Sequence, residues 1–390
     1  MKKHVKLLTI LNRSILCIYL SEQMIKADMS VKGNISELLS LQSINSQEAS
    51  NSTSMEDLTP FGYSLAAVAL FGIMIFGCIS NLIVIVVIGG TNRLRTPMNS
   101  ILLNLSVSDF IISAFGTPLS FASALNNKWI FGETLCKLYA FMMTLTGMTS
   151  IGTLTAIAIE RYIIISRSLY GQTLPANSSI VVIIMIWIYS LIQALPPLFG
   201  WNRYIVEHPG IACSLDWQTP DYGHNAFIAY IFILGYILPV FIMSYSYIKV
   251  IWILKRCSKC HERSRAAKAE AKVTYMAIAM IICTVSAWTP YAVVSLMVSL
   301  GYGNHIGPVS SVCPAIFAKT SVIYNPIIYY FFNSQIREVI VSKIPIRWRR
   351  RRDAETEISL ETKRGITVIN TVLSNNVPEN GDKSATTENV

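Results

Sequence analysis

The chain is poor in charged residues. Only 14% of its 390 residues are Asp, Glu, Lys or Arg, whereas soluble globular domains carry about 25%. This shortage, together with a hydrophobic share of 52%, excludes an ordinary soluble protein, and it also excludes a disordered chain, which is poor in apolar residues. The eight cysteines are too dispersed for a disulfide scaffold. Internal repeats, low-complexity tracts and a phosphate-binding glycine-rich loop are also absent from the sequence.

Long apolar stretches dominate what is present. A helix needs about 20 apolar residues to cross about 30 Å of hydrocarbon. Stretches of this length lie at 64–90, 98–124, 134–166, 179–199, 224–253, 271–300 and 306–331. The sequence therefore predicts an all-α membrane protein built as a seven-transmembrane helix bundle.

The basic residues predict how the bundle is oriented. The links after the first, third and fifth stretches hold most of the loop cations, among them Arg93, Arg167 and Lys255, while the other three links hold only Lys128 and Arg203. Because basic loops stay in the cytoplasm, we expect the amino terminus outside the cell. The net charge of +10 does not imply a nucleic-acid partner, because anionic lipid heads attract the same residues.

Polar segments flank the apolar core. We predict an extracellular tail at 1–60, a seven-transmembrane domain at 61–332, a short amphipathic helix at 333–345 and a basic, then polar, cytoplasmic tail at 346–390 that is disordered. The first tail carries a weak signal-like segment at 1–21 and glycosylation sequons at Asn34 and Asn51. Serines and threonines in the last tail are candidate kinase substrates.

Lys319 is the sharpest chemical signal in the sequence. It lies midway along the seventh stretch, with more than a helical turn of apolar residues on each side, and a cation at the bilayer centre costs roughly 2.5 to 3.5 kcal/mol on insertion scales. Burial disfavours the ammonium form, and a partly neutral amine in an apolar pocket can form a Schiff base with an aldehyde. A lysine that lines a water-filled transporter cavity, or that pairs with a carboxylate, explains the residue equally well.

Other polar side chains also fall inside or beside the apolar stretches. Asp109, Asn81 and Asn325 must find partners within the bundle, so we expect a hydrogen-bonded cluster, and a static network and a switching role are equally compatible with it. Cys136 opens the third stretch, and Cys213 lies in the outer loop before the fifth. A bridge between these two would persist in an oxidising compartment.

Charged residues also meet at the cytoplasmic face. Glu160-Arg161-Tyr162 ends the third stretch and Glu270 begins the sixth. The arginine can pair with both glutamates and tie two helices together through a bond that breaks easily near water, although an unlinked set of interfacial charges is the alternative. Cys257-Ser-Lys-Cys260-His261 is similar to half a zinc site, but without a second ligand pair we expect an ordinary loop and no metal.

In order and spacing, residues from about 60 to 340 resemble the opsins within the rhodopsin-like G-protein-coupled receptors. The likeness rests on Asn81, Leu105 to Asp109, Glu160-Arg161-Tyr162, Trp187, Pro239, Trp288-Thr-Pro290-Tyr291 and Asn325-Pro326-Ile-Ile-Tyr329. Phe317-Ala-Lys-Thr-Ser321 is similar to the retinal-attachment segment that separates opsins from related receptors.

The resemblance implies a chromophore site. Retinal, as the 11-cis isomer in the dark, would be bound to Lys319 as a protonated Schiff base. The implied pocket residues are Tyr139, Thr144, Gly147, Trp288 and Tyr291, the implied disulfide joins Cys136 to Cys213, and the implied loop ion pair is Arg203 with Asp216. Tyr139 stands where vertebrate visual opsins have a glutamate. We therefore assign Glu207, which matches the other acidic position used in the family, as the counterion, and an exposed loop residue is the alternative for it.

The implied function is a light-sensing receptor at the plasma membrane or a photoreceptor membrane. A photon isomerises retinal, the bundle repacks and its cytoplasmic face opens to activate a heterotrimeric G protein. The implied switch residues are Glu160, Arg161, Tyr162, Tyr247, Glu270, Asn325, Pro326 and Tyr329. Arrestin and a receptor kinase are expected on the phosphorylated tail.

Three alternatives differ in class. One is a retinal photoisomerase with weak signalling, the second is a receptor for a diffusible ligand and the third is a retinal-driven ion pump. Intact Glu160 to Tyr162 and Asn325 to Tyr329 motifs argue against the isomerase, so we expect no enzyme. No cysteine after Cys313 can accept palmitate, so membrane anchoring of the segment after Asn333 is expected to rest on Ile336, Val339, Ile340 and the arginines at 347–352.

Overall fold

The computed structural model describes residues 57–168, 178–257 and 265–343. The signal-like segment, the sequons at Asn34 and Asn51, the loop that follows Cys257 and the tail after Lys343 lie outside the described residues. Among the described residues, no group of His, Cys, Asp and Glu has the arrangement of a metal site.

Helices make up most of the described chain. Helix α1 is Pro60–Gly89, and α2 is Pro97–Ile111, continued by a π-helical Ile112–Gly116 and by Thr117–Leu125. Helix α3 is Gly132–Ser168, α4 is Ser178–Ala194, and α5 is Tyr222–Phe232, continued by a π-helical Ile233–Ile237 and by Leu238–Cys257. Helix α6 is Arg265–Met297, α7 comprises Pro308–Lys319 and Ser321–Phe332, and α8 is Ser334–Lys343.

The helices correspond to the seven predicted spans. Helices α1 to α6 are each long and apolar enough to cross a membrane. Helix α7 is broken at Thr320 into two segments of 12 residues, and neither segment alone would cross about 30 Å of hydrocarbon. Placed end to end, the two segments cover residues 308–332, which is long enough. The prediction of a seven-helix bundle is confirmed.

Several helix boundaries follow from proline and threonine. Thr59 and Thr96 cap α1 and α2, and their hydroxyl oxygens accept hydrogen bonds from the backbone N–H of Gly62 at 3.1 Å and of Asn99 at 3.3 Å. A proline follows each cap at the first helical position, where its missing N–H costs nothing. Helix α4 ends earlier than predicted, because Pro196-Pro197 continues as a short 3₁₀ turn.

Proline also leaves carbonyls unpaired inside the bundle. Pro326 has no N–H, so the carbonyl of Val322, four residues earlier in α7, has no donor within its own helix. The Asn81 side chain donates to that carbonyl from α1 at 2.9 Å and also to the Gly77 carbonyl at 3.0 Å. The hydrogen bond from Asn81 to Val322 therefore joins α1 to α7.

A hairpin covers the extracellular mouth of the bundle. Strands β1, Tyr204–Glu207, and β2, Ala212–Leu215, pair antiparallel between α4 and α5, with Glu207 opposite Ala212. Helix α3 packs against both strands, and the predicted disulfide between Cys136 and Cys213 is present. The hairpin is thereby held over the end of α3.

Helix α8 differs from expectation at one position. Ile336 was expected to face lipid, but it is completely buried. Its side chain is therefore part of the protein interior and does not contribute to membrane anchoring. Within the described part of α8, the boundary between two units falls after Arg337.

Candidate functional site

A cavity of about 160 Å³, here called the inner cavity, lies between the hairpin and helices α3, α5, α6 and α7. Apolar and aromatic side chains form most of its wall, with a few polar groups among them. This is the usual make-up of a site for a small organic ligand. The residues predicted to line a pocket all line this cavity: Tyr139, Thr144, Gly147, Glu207, Trp288, Tyr291 and Lys319.

Lys319 supplies the amine of the inner cavity. It is the last residue of the first α7 segment, at the break in the helix, and its side chain is half-buried. Its Nζ lies 5.8 Å from the centre of the Tyr139 ring, which is a favourable position for a cation over an aromatic face. The amine therefore faces an aromatic ring and the cavity.

Tyr139 presents its ring, more than its hydroxyl, to Lys319. The Tyr139 side chain is completely buried, and its hydroxyl lies 2.7 Å from the Ser120 hydroxyl on α2. The Tyr139 ring also packs edge-on against Trp129, with ring centres 5.3 Å apart. These contacts hold the ring in one orientation beside the amine.

Glu207 supplies the carboxylate. It ends β1, lines the inner cavity and is half-buried, so it is not an exposed loop residue. Burial raises the pKa of Glu207 from its ordinary 4.5 to about 7, against the lowering effects of the Lys319 charge and of the Ser214 and Tyr291 hydroxyls. A carboxylate in this position depends on a nearby cation to stay ionised.

The other end of the hairpin is held by Arg203 and Asp216. Both Nε and Nη2 of Arg203 lie 2.8 Å from the same Asp216 oxygen. Burial alone would raise the pKa of Asp216, but hydrogen bonds from Thr219, Gln218 and Arg203 outweigh burial and lower this pKa. The ion pair suggested by the resemblance is therefore present, with added support from the following turn.

Trp288 and Gly147 meet across the cavity floor. A Cβ atom added at Gly147 would lie 3.1 Å from the Trp288 ring, closer than ordinary van der Waals contact, so the close approach of α6 to α3 at this point depends on a residue without a side chain. Trp288 also packs edge-on against Tyr291, with ring centres 6.4 Å apart.

The polar cluster predicted in the bundle core is present, with one change of partner. Asn325 donates to one oxygen of Asp109 at 2.8 Å, and Ser150 donates to the other at 3.1 Å. Helices α2, α3 and α7 are thereby linked. The side-chain amide of Asn81 instead bonds the backbone carbonyls of Gly77 and Val322.

Comparison with known proteins identifies the family. Residues 80–329 match the family described as 7 transmembrane receptor (rhodopsin family). The chain is 33% identical over 291 residues to Opsin-VA of Rutilus rutilus, covering 74% of this chain and 76% of that one. It is 34% identical over 288 residues to the green-sensitive opsin of Gallus gallus, covering 73% and 81%. The chain belongs to the opsins of this receptor family.

The fold comparison agrees with this assignment. The crystal structure of squid rhodopsin superimposes with a TM-score of 0.69 at 30% identity and covers 74% of this chain and 87% of that one. This opsin is a light-sensing G-protein-coupled receptor that crosses the membrane several times, as the sequence predicted. The photoisomerase is not favoured, because proteins of this family are generally signalling receptors without enzymatic activity. The receptor for a diffusible ligand is not favoured either, because the similar proteins are opsins and rhodopsins.

The predicted switch residues of the opsin lie in α3, α5, α6 and α7. Arg161 is buried, and its Nη2 lies 3.4 Å from Glu160. The Glu270 side chain lies outside the described part of α6, so the tie from Arg161 to Glu270 stays a prediction. Among the described residues, the buried Tyr247 and Tyr329 hydroxyls have no hydrogen-bond partner.

Sequence reasoning missed several residues of the opsin site. Ser120, Ser150, Trp217 and Tyr236 belong to no motif, yet they contact predicted residues or line the inner cavity. Tyr236 donates a hydrogen bond of 2.6 Å to Thr289, because the Thr289 hydroxyl already donates to the Val285 carbonyl. Serine, tyrosine and tryptophan in apolar stretches carry too weak a signal to be singled out without neighbours in space.

Proposed function

We propose that this opsin binds retinal through Lys319, as the 11-cis isomer in the dark, with Glu207 as the counterion. The observation that carries the proposal is that the Lys319 amine and the Glu207 carboxylate line one apolar cavity beneath a disulfide-linked hairpin. The chemistry of this set suits an apolar aldehyde, because it combines one amine, one carboxylate and aromatic walls. When bound, retinal supplies the absorption of visible light and a change of shape on isomerisation.

Each residue of the inner cavity has a separate role in this proposal. Lys319 holds the ligand covalently, and Glu207 balances the positive charge on the Lys319 nitrogen. Tyr139 offers the face of its ring to the same charge. Trp288, Tyr291, Thr144 and Gly147 shape the apolar wall, so that two bundle arrangements fit two ligand shapes unequally.

The signal is proposed to leave the cavity through α6. Trp288 contacts the cavity two residues before Pro290, which weakens α6 and allows it to bend. Bending of α6 would separate Arg161 from Glu270 and open a cytoplasmic surface for a heterotrimeric G protein. Tyr247, Tyr329, Glu160, Tyr162, Asn325 and Pro326 are proposed to support the two arrangements.

Reconstitution with 11-cis-retinal tests the proposal. We expect a visible absorbance band that changes with light, and we expect Lys319→Ala to lose it entirely. Lys137→Ala is the matched control, because it removes an exposed lysine at the extracellular end of α3, and it should retain the band. Glu207→Gln should give a blue-shifted, pH-sensitive pigment. A colourless native protein would refute the proposal, and an unchanged Glu207→Gln spectrum would move the counterion to another residue.

The remaining assignments concern the ends of the chain. We propose glycosylation at Asn34 and Asn51, phosphorylation of the tail with binding of a receptor kinase and arrestin, and residence in the plasma membrane or a photoreceptor membrane. The orientation predicted by the basic loops supports these assignments. Enzymatic deglycosylation followed by gel mobility tests the sequons, with Asn34→Gln and Asn51→Gln as the variants.

A further inference from the structure

A second cavity lies on the extracellular side of Glu207. This outer cavity has a volume of about 120 Å³ and lies between the hairpin, the extracellular end of α6 and the link to α7. Gln218, Val298, Gly303 and Ile306 line the outer cavity and do not line the inner one. It therefore extends from the counterion position to the extracellular loops.

A wall one side chain thick separates the inner and outer cavities. Five residues line both of them: Glu207, Ser214, Leu215, Trp217 and Ser295. A third space of about 20 Å³ is lined by Glu207 and Lys319 together with Ser120, and it is large enough for one water molecule. Of the residues that the structure describes, Glu207 alone lines all three of these spaces.

Two polar groups in this wall bear on whether water enters it. The Trp217 indole N–H is buried and has no hydrogen-bond partner among the described residues. Because nearly all buried donors are bonded either by protein or by ordered water, water is the partner left for this N–H. Glu207 is hydrogen-bonded by the Ser214 and Tyr291 hydroxyls, yet the residue is only half-buried and lines all three spaces, so water in these spaces would contact it. Hydration would reduce the cost of keeping a carboxylate in this position.

We propose that the outer cavity is a solvent chamber through which water and small polar molecules from the extracellular side reach Glu207 and, past it, Lys319. The step that leads to Glu207 depends only on the cavity. The further step to a retinal-bearing Lys319 rests on the function proposed above. The ligands that suit the chamber are water and small polar nucleophiles, because its wall combines a carboxylate with hydroxyl and indole groups.

The first experiment tests access to position 207 without retinal. Intact cells that display Glu207→Cys are treated with the membrane-impermeant reagent 2-(trimethylammonium)ethyl methanethiosulfonate. The thiolate displaces methanesulfinate and forms a mixed disulfide, which is measured by mass spectrometry. We expect position 207 to be modified at least tenfold faster than the background of the native chain, in which Cys313 is exposed.

Matched variants locate the route. Val298→Trp in the Glu207→Cys background fills the outer cavity and should slow modification at least tenfold. Val293→Trp is the control, because Val293 lies near the end of α6, five residues before Val298. Val293 is 50% exposed and lines none of the three spaces, so modification should keep its rate. Surface display of each variant is quantified, and Val298→Phe replaces Val298→Trp if the latter is not displayed. Equal rates for the two tryptophan variants, or no reaction at position 207, would overturn the proposal.

The second experiment uses the pigment in the dark. Hydroxylamine added to the native pigment should convert retinal to its oxime and return Lys319 to the free amine, with loss of the visible band. Val298→Trp should slow this loss several-fold, whereas Val293→Trp should not. If the pigment forms but resists hydroxylamine, and if position 207 is not modified in the first experiment, the solvent chamber is refuted. The proposed binding of retinal is not affected by that outcome. If no pigment forms, the proposed function fails, and the thiol result still decides the chamber.

Discussion

Two charged side chains of opposite sign, Lys319 and Glu207, line the inner cavity. Each reduces the free-energy cost of burying the other's charge. Lys319 and Glu207 lie in surroundings where either charge alone would be costly. The charge of Lys319 lowers the pKa of Glu207, although burial has the larger effect and raises it to about 7. Loss of either residue therefore leaves its partner as an uncompensated charge.

The raised pKa of Glu207 predicts a pH dependence of stability. The unfolded chain binds its proton with a pKa of 4.5, and the folded chain with a pKa of about 7. The stabilisation from this raised pKa is therefore complete below pH 4.5 and is lost as the pH rises to 7. In thermal denaturation of the retinal-free protein in detergent, the melting temperature of the native chain should fall relative to Glu207→Gln across this window and run parallel above it.

The control for this measurement is an exposed glutamate. Glu133 pairs with Lys137 at 2.6 Å on the surface of α3, and its side chain is exposed. Because this carboxylate is not buried in the cavity, the difference between Glu133→Gln and the native chain should stay constant between pH 4.5 and 7. A constant difference between native chain and Glu207→Gln in that window would contradict the assignment of a raised pKa.

Helix α7 is held by side chains of its neighbours at the place where its own hydrogen bonding fails. The break at Thr320 and the proline at 326 weaken the helix between Lys319 and Asn325. Asn81 on α1 donates a hydrogen bond to the Val322 carbonyl of α7. Asp109 on α2 accepts a hydrogen bond from the Asn325 side chain of α7. The position of Lys319 thus depends on two other helices.

We expect Asn81→Ala to destabilise the protein by about 1 to 3 kcal/mol, because it leaves the buried Val322 carbonyl without a donor. The retinal-free protein in detergent should show a correspondingly lower melting temperature. Ser80→Ala is the matched control, since the Ser80 hydroxyl makes only a long 3.5 Å contact with Gly77, and its effect should be within about 0.5 kcal/mol. Equal effects of the two variants would show that Asn81 does not support α7.

The approach of α3 to α6 gives a second prediction for a helix pair. Gly147→Val should lower the pigment yield and shift the absorbance maximum, because the added side chain meets the Trp288 ring. Gly72→Val on α1 is the control, since a Cβ there meets no atom within 4 Å, and it should leave the spectrum unchanged. A normal spectrum for Gly147→Val would mean that Trp288 moves without consequence for the cavity.

The whole molecule connects an extracellular cavity to a cytoplasmic surface. Helix α3 contributes Tyr139 and Gly147 to the cavity, Ser150 to the core cluster and Arg161 to the cytoplasmic end. Helices α5 and α7 lie on different sides of the cavity, because α5 packs on α3 and α6 whereas α7 packs on α1, α2 and α6. A change of shape in the cavity can therefore move α6 against both of them.

Tyr247 and Tyr329 test this connection. Their buried hydroxyls make no hydrogen bond with any described residue, so replacing either tyrosine by phenylalanine removes no described hydrogen bond of this arrangement. We expect Tyr247→Phe and Tyr329→Phe to keep the pigment spectrum and to lower light-dependent nucleotide exchange on a G protein several-fold. Tyr245→Phe, at a position 49% exposed, should signal normally. Normal signalling by both buried variants would remove them from the switch.

Particular residues show how far sequence reasoning reaches. The sequence was sufficient to predict the seven spans, because the length of an apolar run can be counted. It was also sufficient for Lys319, a charge within such a run, and for the cysteine pair, which lies in segments predicted to be extracellular. The break at Thr320 was not predictable, because the sequence around it reads as one continuous apolar stretch, and the burial of Ile336 was not, since burial depends on contacts with other elements. Ser120 and Ser150 were missed for the same reason: a serine becomes informative only beside its partner.

The amino-acid order alone determined that this chain crosses a membrane seven times and belongs to the opsins, because the length of hydrophobic runs and the spacing of motifs are properties of the linear sequence. The tertiary structure decided which charges share a cavity. Glu207 and Lys319 are separated by the whole of helices α5 and α6 in the chain, yet both line the inner cavity. Electrostatic attraction and solvation act through distance in space, and only folding sets that distance.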